Sequence, residues 1–176
     1  MVFRSLQHPP TDRGEDQDPS GAMKIIIRKS LPSDWQLIQK LNNEVFENDS
    51  KNDQYLNLAW PYSKQGIQYY KNVVSSPTYF CFIAEADGEP VGHLVGGLKS
   101  IEYRNVKTAE IIELGVSPAY RSKHIGAQLV QAFRDWSKER GFQTIMVNAY
   151  YTNEKAIKFY TFLGMKPIDM NLEMQI

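Results

Sequence analysis

The chain has 176 residues, the size of one domain with room for a full core. Its 20 Lys and Arg balance 20 Asp and Glu, which excludes the basic excess of a non-specific nucleic-acid binder, and a hydrophobic content of 42% is that of a soluble globular protein. Cys81 is the single cysteine, so neither an intrachain disulfide nor a cysteine-based zinc site is available. No apolar run of membrane-spanning length and no signal-peptide core occurs, and a cytoplasmic protein is the expectation.

Residues 1–22 contain Pro9-Pro10 and then a stretch rich in Asp, Glu, Pro and Gly that cannot bury a face; they read as a disordered leader, native or expression-derived. Residues 23–176 read as a single domain. Ile25-Ile26-Ile27 is a short strand. Pro32, Ser33 and Asp34 open a helix that places Trp35, Ile38, Leu41 and Val45 on one face. Residues 47–58 read as a polar loop, followed by Trp60-Pro61-Tyr62 and a second helix through Ile67, Tyr70 and Val74. Tyr79 to Ala86 alternates as a strand, Asp87-Gly88 is a hairpin turn, and Val91 to Leu98 returns. Gly96-Gly97 inside that return predicts a bulge or a close backbone approach. A turn near residues 103–105 leads to a third strand ending at Val116, which makes an antiparallel meander. Cys81 reads as core filler and His93 as a satisfied structural histidine.

Ala109 to Val116 is β-branched and apolar, and Ile125, Leu129, Phe133 and Trp136 recur at helical spacing. Between them lies a short basic loop with Arg121 and Lys123. A helix start offers unpaired N–H groups and the positive end of the macrodipole, so strand, basic loop and helix together form a seat for a phosphate. Gly126 allows close approach to the backbone. Gly141 ends the helix, and Thr144 to Ala149 is a strand parallel to the one ending at Val116, because a helix joins them. Asn153 caps a last helix carrying Ile157, Tyr160 and Leu163 on one stripe, closed by Gly164. Ile168 to Ile176 reads as a final strand or pair of strands.

Two segments carry a family resemblance. Residues 121–126, with Arg121, Ile125 and Gly126 in place, resemble the acyl-CoA signature of the GNAT superfamily of N-acetyltransferases, Arg/Gln-x-x-Gly-x-Gly/Ala. Asn153-x-x-Ala156-Ile157-x-Phe159-Tyr160-x-x-x-Gly164-Met165 resembles that superfamily's second signature. One departure stands out: His124 occupies the first glycine position, where a side chain fits if φ stays negative but crowds the phosphate approach.

The resemblance implies a GNAT-like α/β (α+β) fold: a mixed, mostly antiparallel sheet of six to seven strands, a parallel splayed pair and about four helices. It implies acetyl-CoA (coenzyme A) as acyl donor, without a metal, and acetyl transfer to a primary amine by direct attack in a ternary complex. Backbone groups near Leu114 would hold the oxyanion and Val116 the pantetheine arm. Arg121, Ser122, Lys123, His124, Ile125, Gly126 and Ala127 would wrap the pyrophosphate, with a further contact from Asn153. Tyr160 matches the tyrosine that protonates the leaving thiolate. The acceptor amine, of pKa about 10.4, must lose a proton at a cost of roughly 4–5 kcal/mol at neutral pH, which asks for a carboxylate. Glu110 and Glu113 are the candidates. Three residues apart, they face opposite sides of a regular strand unless a bulge intervenes, and alignment on the loop leans to Glu110.

Tyr55, Trp60 and Tyr62 either contact the acceptor or pin a loop. The acidic group Glu44, Glu47, Asp49 and Asp53 either attracts a small cationic amine or is a solvated helix end. The expected partner is a small-molecule amine, with no nucleic acid and no membrane; a homodimer is compatible with the fold. A non-catalytic acyl-CoA-binding regulatory module and acetylation of a protein amine are the alternatives.

Overall fold

The computed structural model describes residues 23–176, so the expected leader of residues 1–22 lies outside the described residues. A five-stranded sheet runs in the order β1 (Ile25–Lys29), β2 (Tyr79–Ala86), β3 (Glu89–Lys99), β4 (Thr108–Val116) and β5 (Thr144–Val147). The first four are antiparallel neighbours, and β5 lies parallel to β4. The meander follows from its turn chemistry. Asp87 and Gly88 both adopt positive φ, 51° and 86°, as a two-residue turn between right-twisted strands requires.

One face of the sheet is covered by α1 (Trp35–Asp49) and α2 (Lys64–Ser75), the other by α3 (Ile125–Glu139), with α4 (Glu154–Phe162) packed beside it. On the α3 face, Phe80, Leu94, Ala109 and Ile111 from the strands meet Ile125, Leu129, Phe133 and Trp136, the four helical positions predicted. On the other face, Cys81, Ile83 and Val95 meet Ile38, Tyr70 and Val73. Cys81 is core filler, and burial pushes its thiol up to about 12. The entry to α1 is held by Asp34, whose carboxylate accepts from the Leu31 N–H and from Arg28, both at 2.7 Å.

Three expectations are corrected. The helix α1 continues to Asp49, past the loop start expected at Glu47. The described residues form five strands, fewer than the six to seven expected. The missing strand is Ile168 to Ile176. Its alternation is there, with Ile168, Met170, Leu172, Met174 and Ile176 apolar, but all five side chains are exposed and residues 165–176 pair with no strand. Alternation supplies a face to bury; a strand also needs a neighbouring edge and a surface to cover. No helix among the described residues is long and apolar enough to cross a membrane.

Candidate active site

The site begins where β4 and β5 part. Their register runs only from Thr108↔Thr144 to Ile111↔Val147. Beyond it, β4 continues to Val116 beside β3 alone. Ser117 N–H bonds to the Val91 carbonyl at 2.8 Å. Backbone direction alternates along a strand, so the N–H and C=O of Val116 and Leu114 point away from β3 into the opening. This is the splay expected of the parallel pair, and both residues flank it. The Val116 carbonyl accepts a hydrogen bond from Arg121 Nε at 3.0 Å, so Arg121 is tethered at the mouth of the opening.

The loop after β4 makes a 3-10 turn at Pro118–Tyr120 and then enters α3. Ser122 and His124 both have positive φ, 62° and 60°. The condition of negative φ under which a side chain would fit here is therefore not met. His124, at the N-cap of α3, takes the left-handed conformation that glycine takes at no steric cost. Among the described residues, the N–H groups of residues 122–127 meet no backbone acceptor, and α3 has no side-chain cap. Arg121 and Lys123 stand beside these donors, and the set fits an anion. Ile125 contributes only its backbone, because its side chain is core. Gly126 serves packing: a Cβ there would meet Phe159 Cζ at 3.3 Å and Val116 Cγ2 at 3.8 Å, so α3, α4 and the end of β4 converge at this point.

Tyr160 lies on α4 with its ring against Phe159 at 5.1 Å between centroids. Burial, and then the charge of Asp49, push its phenol above the ordinary tyrosine value. The ring therefore carries its proton at neutral pH. Asn153 caps α4, its Oδ1 accepting from Ala156 N–H at 3.1 Å. The cap role is visible; a contact to a cofactor remains an expectation.

The two carboxylates are resolved by a bulge. The β3–β4 register shifts between Val95 and Gly96: Val95 pairs with Glu113 and Gly96 with Ile111, which leaves Ile112 without a partner. The extra residue reverses the parity of β4. Glu110 pairs with Gly97 and Glu113 with Val95, so both carboxylates share the face covered by α1 and α2. Glu110 is held by Lys99 Nζ at 2.7 Å, with Asn148 at 3.4 Å. Glu113 has an oxygen, Oε2, that meets no hydrogen-bond donor, and His93 Nε2 stands 3.4 Å from it. Sequence reasoning passed over this neighbour, since nothing in the residues around His93 announces a carboxylate 20 positions later.

The acidic group is split. Asp53 accepts from the Tyr150 hydroxyl at 3.0 Å, and Asn52 accepts from Thr152 at 3.0 Å, so the turn after α1 docks on the loop before α4. Burial raises the Asp49 carboxyl above its usual range, and its charge acts on Tyr160 and Tyr150. Glu47 is engaged by Asn43 on the helix surface. Trp60 stacks on Phe46 at 5.7 Å and meets the edges of Tyr69 and Tyr70, so it pins its loop; Tyr55 and Tyr62 remain exposed.

Comparison with known proteins agrees with this geometry. Residues 35–165 match the acetyltransferase (GNAT) family model. An uncharacterized N-acetyltransferase of Methanocaldococcus jannaschii is 32% identical over 101 residues, 56% of this chain and 44% of that protein. A second, from Archaeoglobus fulgidus, is 31% identical over 52% of this chain and 63% of its own length. The match therefore spans less than two thirds of either. N-alpha-acetyltransferase 30 of Schizosaccharomyces pombe is 30% identical over 61% of this chain and 69% of its own length. Among solved structures, a tetramutant of a Bacillus halodurans protein superposes with a TM-score of 0.74 at 21% identity, covering 86% of this chain and 99% of that one. The aminoglycoside N-acetyltransferase AAC(6')-Iy, solved with CoA, gives a TM-score of 0.70 at 15% identity, over 91% and 99% of the two chains. Together with the splayed pair and the anion seat, these likenesses place the chain in the acetyltransferase (GNAT) family.

Proposed function

We propose that the chain transfers an acetyl group from acetyl-CoA to the primary amine of a small cationic acceptor, by direct attack within a ternary complex. The observation that carries this reading is the opening between β4 and β5: backbone groups of Leu114 and Val116 that pair with no strand line one edge, and an unpaired helix start stands at its mouth. Acetyl-CoA supplies the activated thioester. The N–H groups of residues 122–127, with Arg121 and Lys123, receive its pyrophosphate; the Leu114 backbone donates to the developing oxyanion.

Glu113 accepts the acceptor's proton, directly or through water. We assign it this role over Glu110 because Glu110 is ion-paired with the Lys99 ammonium at 2.7 Å, whereas Glu113 pairs with no Lys or Arg among the described residues and its buried Oε2 has no donor. Tyr160 receives the leaving sulfur. A thiolate has a pKa near 8.5 and an ordinary phenol about 10, so full proton transfer from an even less acidic Tyr160 would be uphill by at least about 2 kcal/mol. Tyr160 thus acts as a hydrogen-bond donor to the thiolate. Asp49, beside Tyr160, and Asp53 nearby on the docked loop supply negative charge for a cationic acceptor. Aminoglycoside acetyltransferases share the fold, one of them solved with sisomicin, which supports this choice.

The sequence likeness to a protein named as an N-alpha-acetyltransferase favours a second reading, a peptide α-amine. Thiol release from acetyl-CoA, measured with sisomicin, spermidine, free amino acids and peptides with free N-termini, separates the two. Sisomicin- or spermidine-dependent release that falls at least about tenfold in Glu113→Gln and Tyr160→Phe supports the proposal. Release with peptides alone transfers the assignment to the second reading. Binding of acetyl-CoA without release for any amine would leave a binding module.

A further inference from the structure

His93 sits in the central strand β3 with none of its surface exposed, and neither ring nitrogen has a hydrogen-bond partner. A buried imidazole in that state is costly, since each unsatisfied polar atom forfeits its hydration without return. Glu113 Oε2 stands 3.4 Å from Nε2, and that oxygen is unpaired too. The gap exceeds an N–H···O bond by only a few tenths of an ångström. The fold makes specific room for the ring. Gly115 lies opposite His93 in β4, and a Cβ there would stand 2.9 Å from His93 Cε1 and 2.6 Å from Val45 Cγ2. The bulge at Ile112 then turns Glu113 onto the same face.

We propose that His93 is a positioning residue for Glu113: its Nε2–H donates to Glu113 Oε2 and fixes the carboxylate that takes the acceptor's proton. The inference rests on the assignment of Glu113 as the base. A neutral imidazole has one donor and one acceptor nitrogen, and the adjacent carboxylate selects the Nε2–H tautomer. His93 keeps its own proton throughout, and the proton lost by the amine goes to Glu113. No other side chain is needed for the balance.

The test uses the full chain and has two readouts. Long-range 1H–15N spectra report the His93 tautomer, its signals identified by their loss in His93→Gln. The expected result is protonated Nε2, with a shift of that N–H in Glu113→Gln; an Nδ1–H tautomer, or no response to Glu113→Gln, overturns the proposal. Thiol release with the amine that turns over fastest is then compared across variants. His93→Leu is expected to lower kcat about tenfold with KM for acetyl-CoA unchanged, as misorientation of a base does. His93→Gln, which keeps an N–H donor, restores most of the rate. In a Glu113→Gln background, His93→Leu costs nothing further. Independent, multiplying losses would make His93 a packing residue and sink the inference. Full activity in Glu113→Gln alone would instead remove the base assignment, while the tautomer still judges the contact. Retained thermal stabilisation by acetyl-CoA identifies the variants that have folded.

Discussion

Replacing His124 by glycine tests whether the loop entering α3 stores backbone strain. His124 has φ 60° and ψ 9°, the left-handed region, and its side chain is exposed, so no packing compensates. For an L-residue that conformation costs about 1–2 kcal/mol. Glycine removes the cost but gives up about 0.5–1 kcal/mol through its freer unfolded chain. The balance predicts a net stabilisation of about 0.5–1 kcal/mol for His124→Gly, a rise of roughly 1–4 °C in Tm for a chain of this length. His124→Val must go the other way by at least about 1 kcal/mol, because a β-branched residue fits the left-handed region worst. Urea unfolding of the three proteins reads the stabilities. Titration with acetyl-CoA reads the seat: glycine is expected to tighten binding, by up to about tenfold or 1.4 kcal/mol. If valine is tolerated at wild-type stability while glycine destabilises, residue 124 is not left-handed, and the reasoning about this loop is refuted.

Gly96→Ala probes the bulge, since a Cβ there would stand 2.4 Å from the Phe133 ring and 2.9 Å from the Glu110 carbonyl. A loss of about 1–3 kcal/mol in urea unfolding is expected, partly recovered by Phe133→Leu, and an unchanged midpoint would contradict the packing described. Stability should also fall in alkali. Burial holds the phenols of Tyr69, Tyr70 and Tyr160 above the ordinary value, helped at the first two by the charge of Glu113 and at the third by Asp49. The unfolded phenols ionise first, so their contribution is whole below about pH 10 and drains as pH rises past it, by up to about 1.4 kcal/mol per pH unit for each phenol. Unfolding free energies that stay level between pH 9.5 and 11 would disprove it.

The parts of this structure that were legible are those where a local rule and the tertiary context agree. Asp87-Gly88 between two alternating runs leaves one inexpensive turn, and Ile125, Leu129, Phe133 and Trp136 form one stripe with one surface to cover. The parallel placement of β5 followed from the helix joining it to β4. Illegible features depend on what lies opposite. The run from Ile168 to Ile176 has the period of a strand, but pairing is a property of two segments. His93 looked like a satisfied core residue because satisfaction is decided by the bulge two strand positions away, which only the pairing with β4 reveals. The conformation of His124 is a third case: the motif marked the position as unusual, and the backbone took the glycine-like positive φ although a side chain stands there.

That bulge explains how one strand can serve both halves of an acyl transfer. A regular β4 would send Glu110 and Glu113 to opposite faces, and Glu113 would be buried against α3 beside Ile111. With Ile112 bulged out, Glu113 shares the side of Glu110 and His93, and the same change of parity places the side chains of Leu114 and Val116 in the α3 core. Pairing with β5 stops at Ile111, directly before the inserted residue, so the same irregularity marks the start of the opening. Added twist at a bulge carries β4 away from β5, which leaves the backbone groups beyond it without a strand partner on that side. The donors at the edge and the carboxylates on the face therefore have one structural origin. Deletion of Ile112 would restore regular pairing with Glu110 and Glu113 then two positions apart and still on one face, so its expected effect falls on the opening beyond Ile111, whereas a substitution at either carboxylate leaves that opening in place.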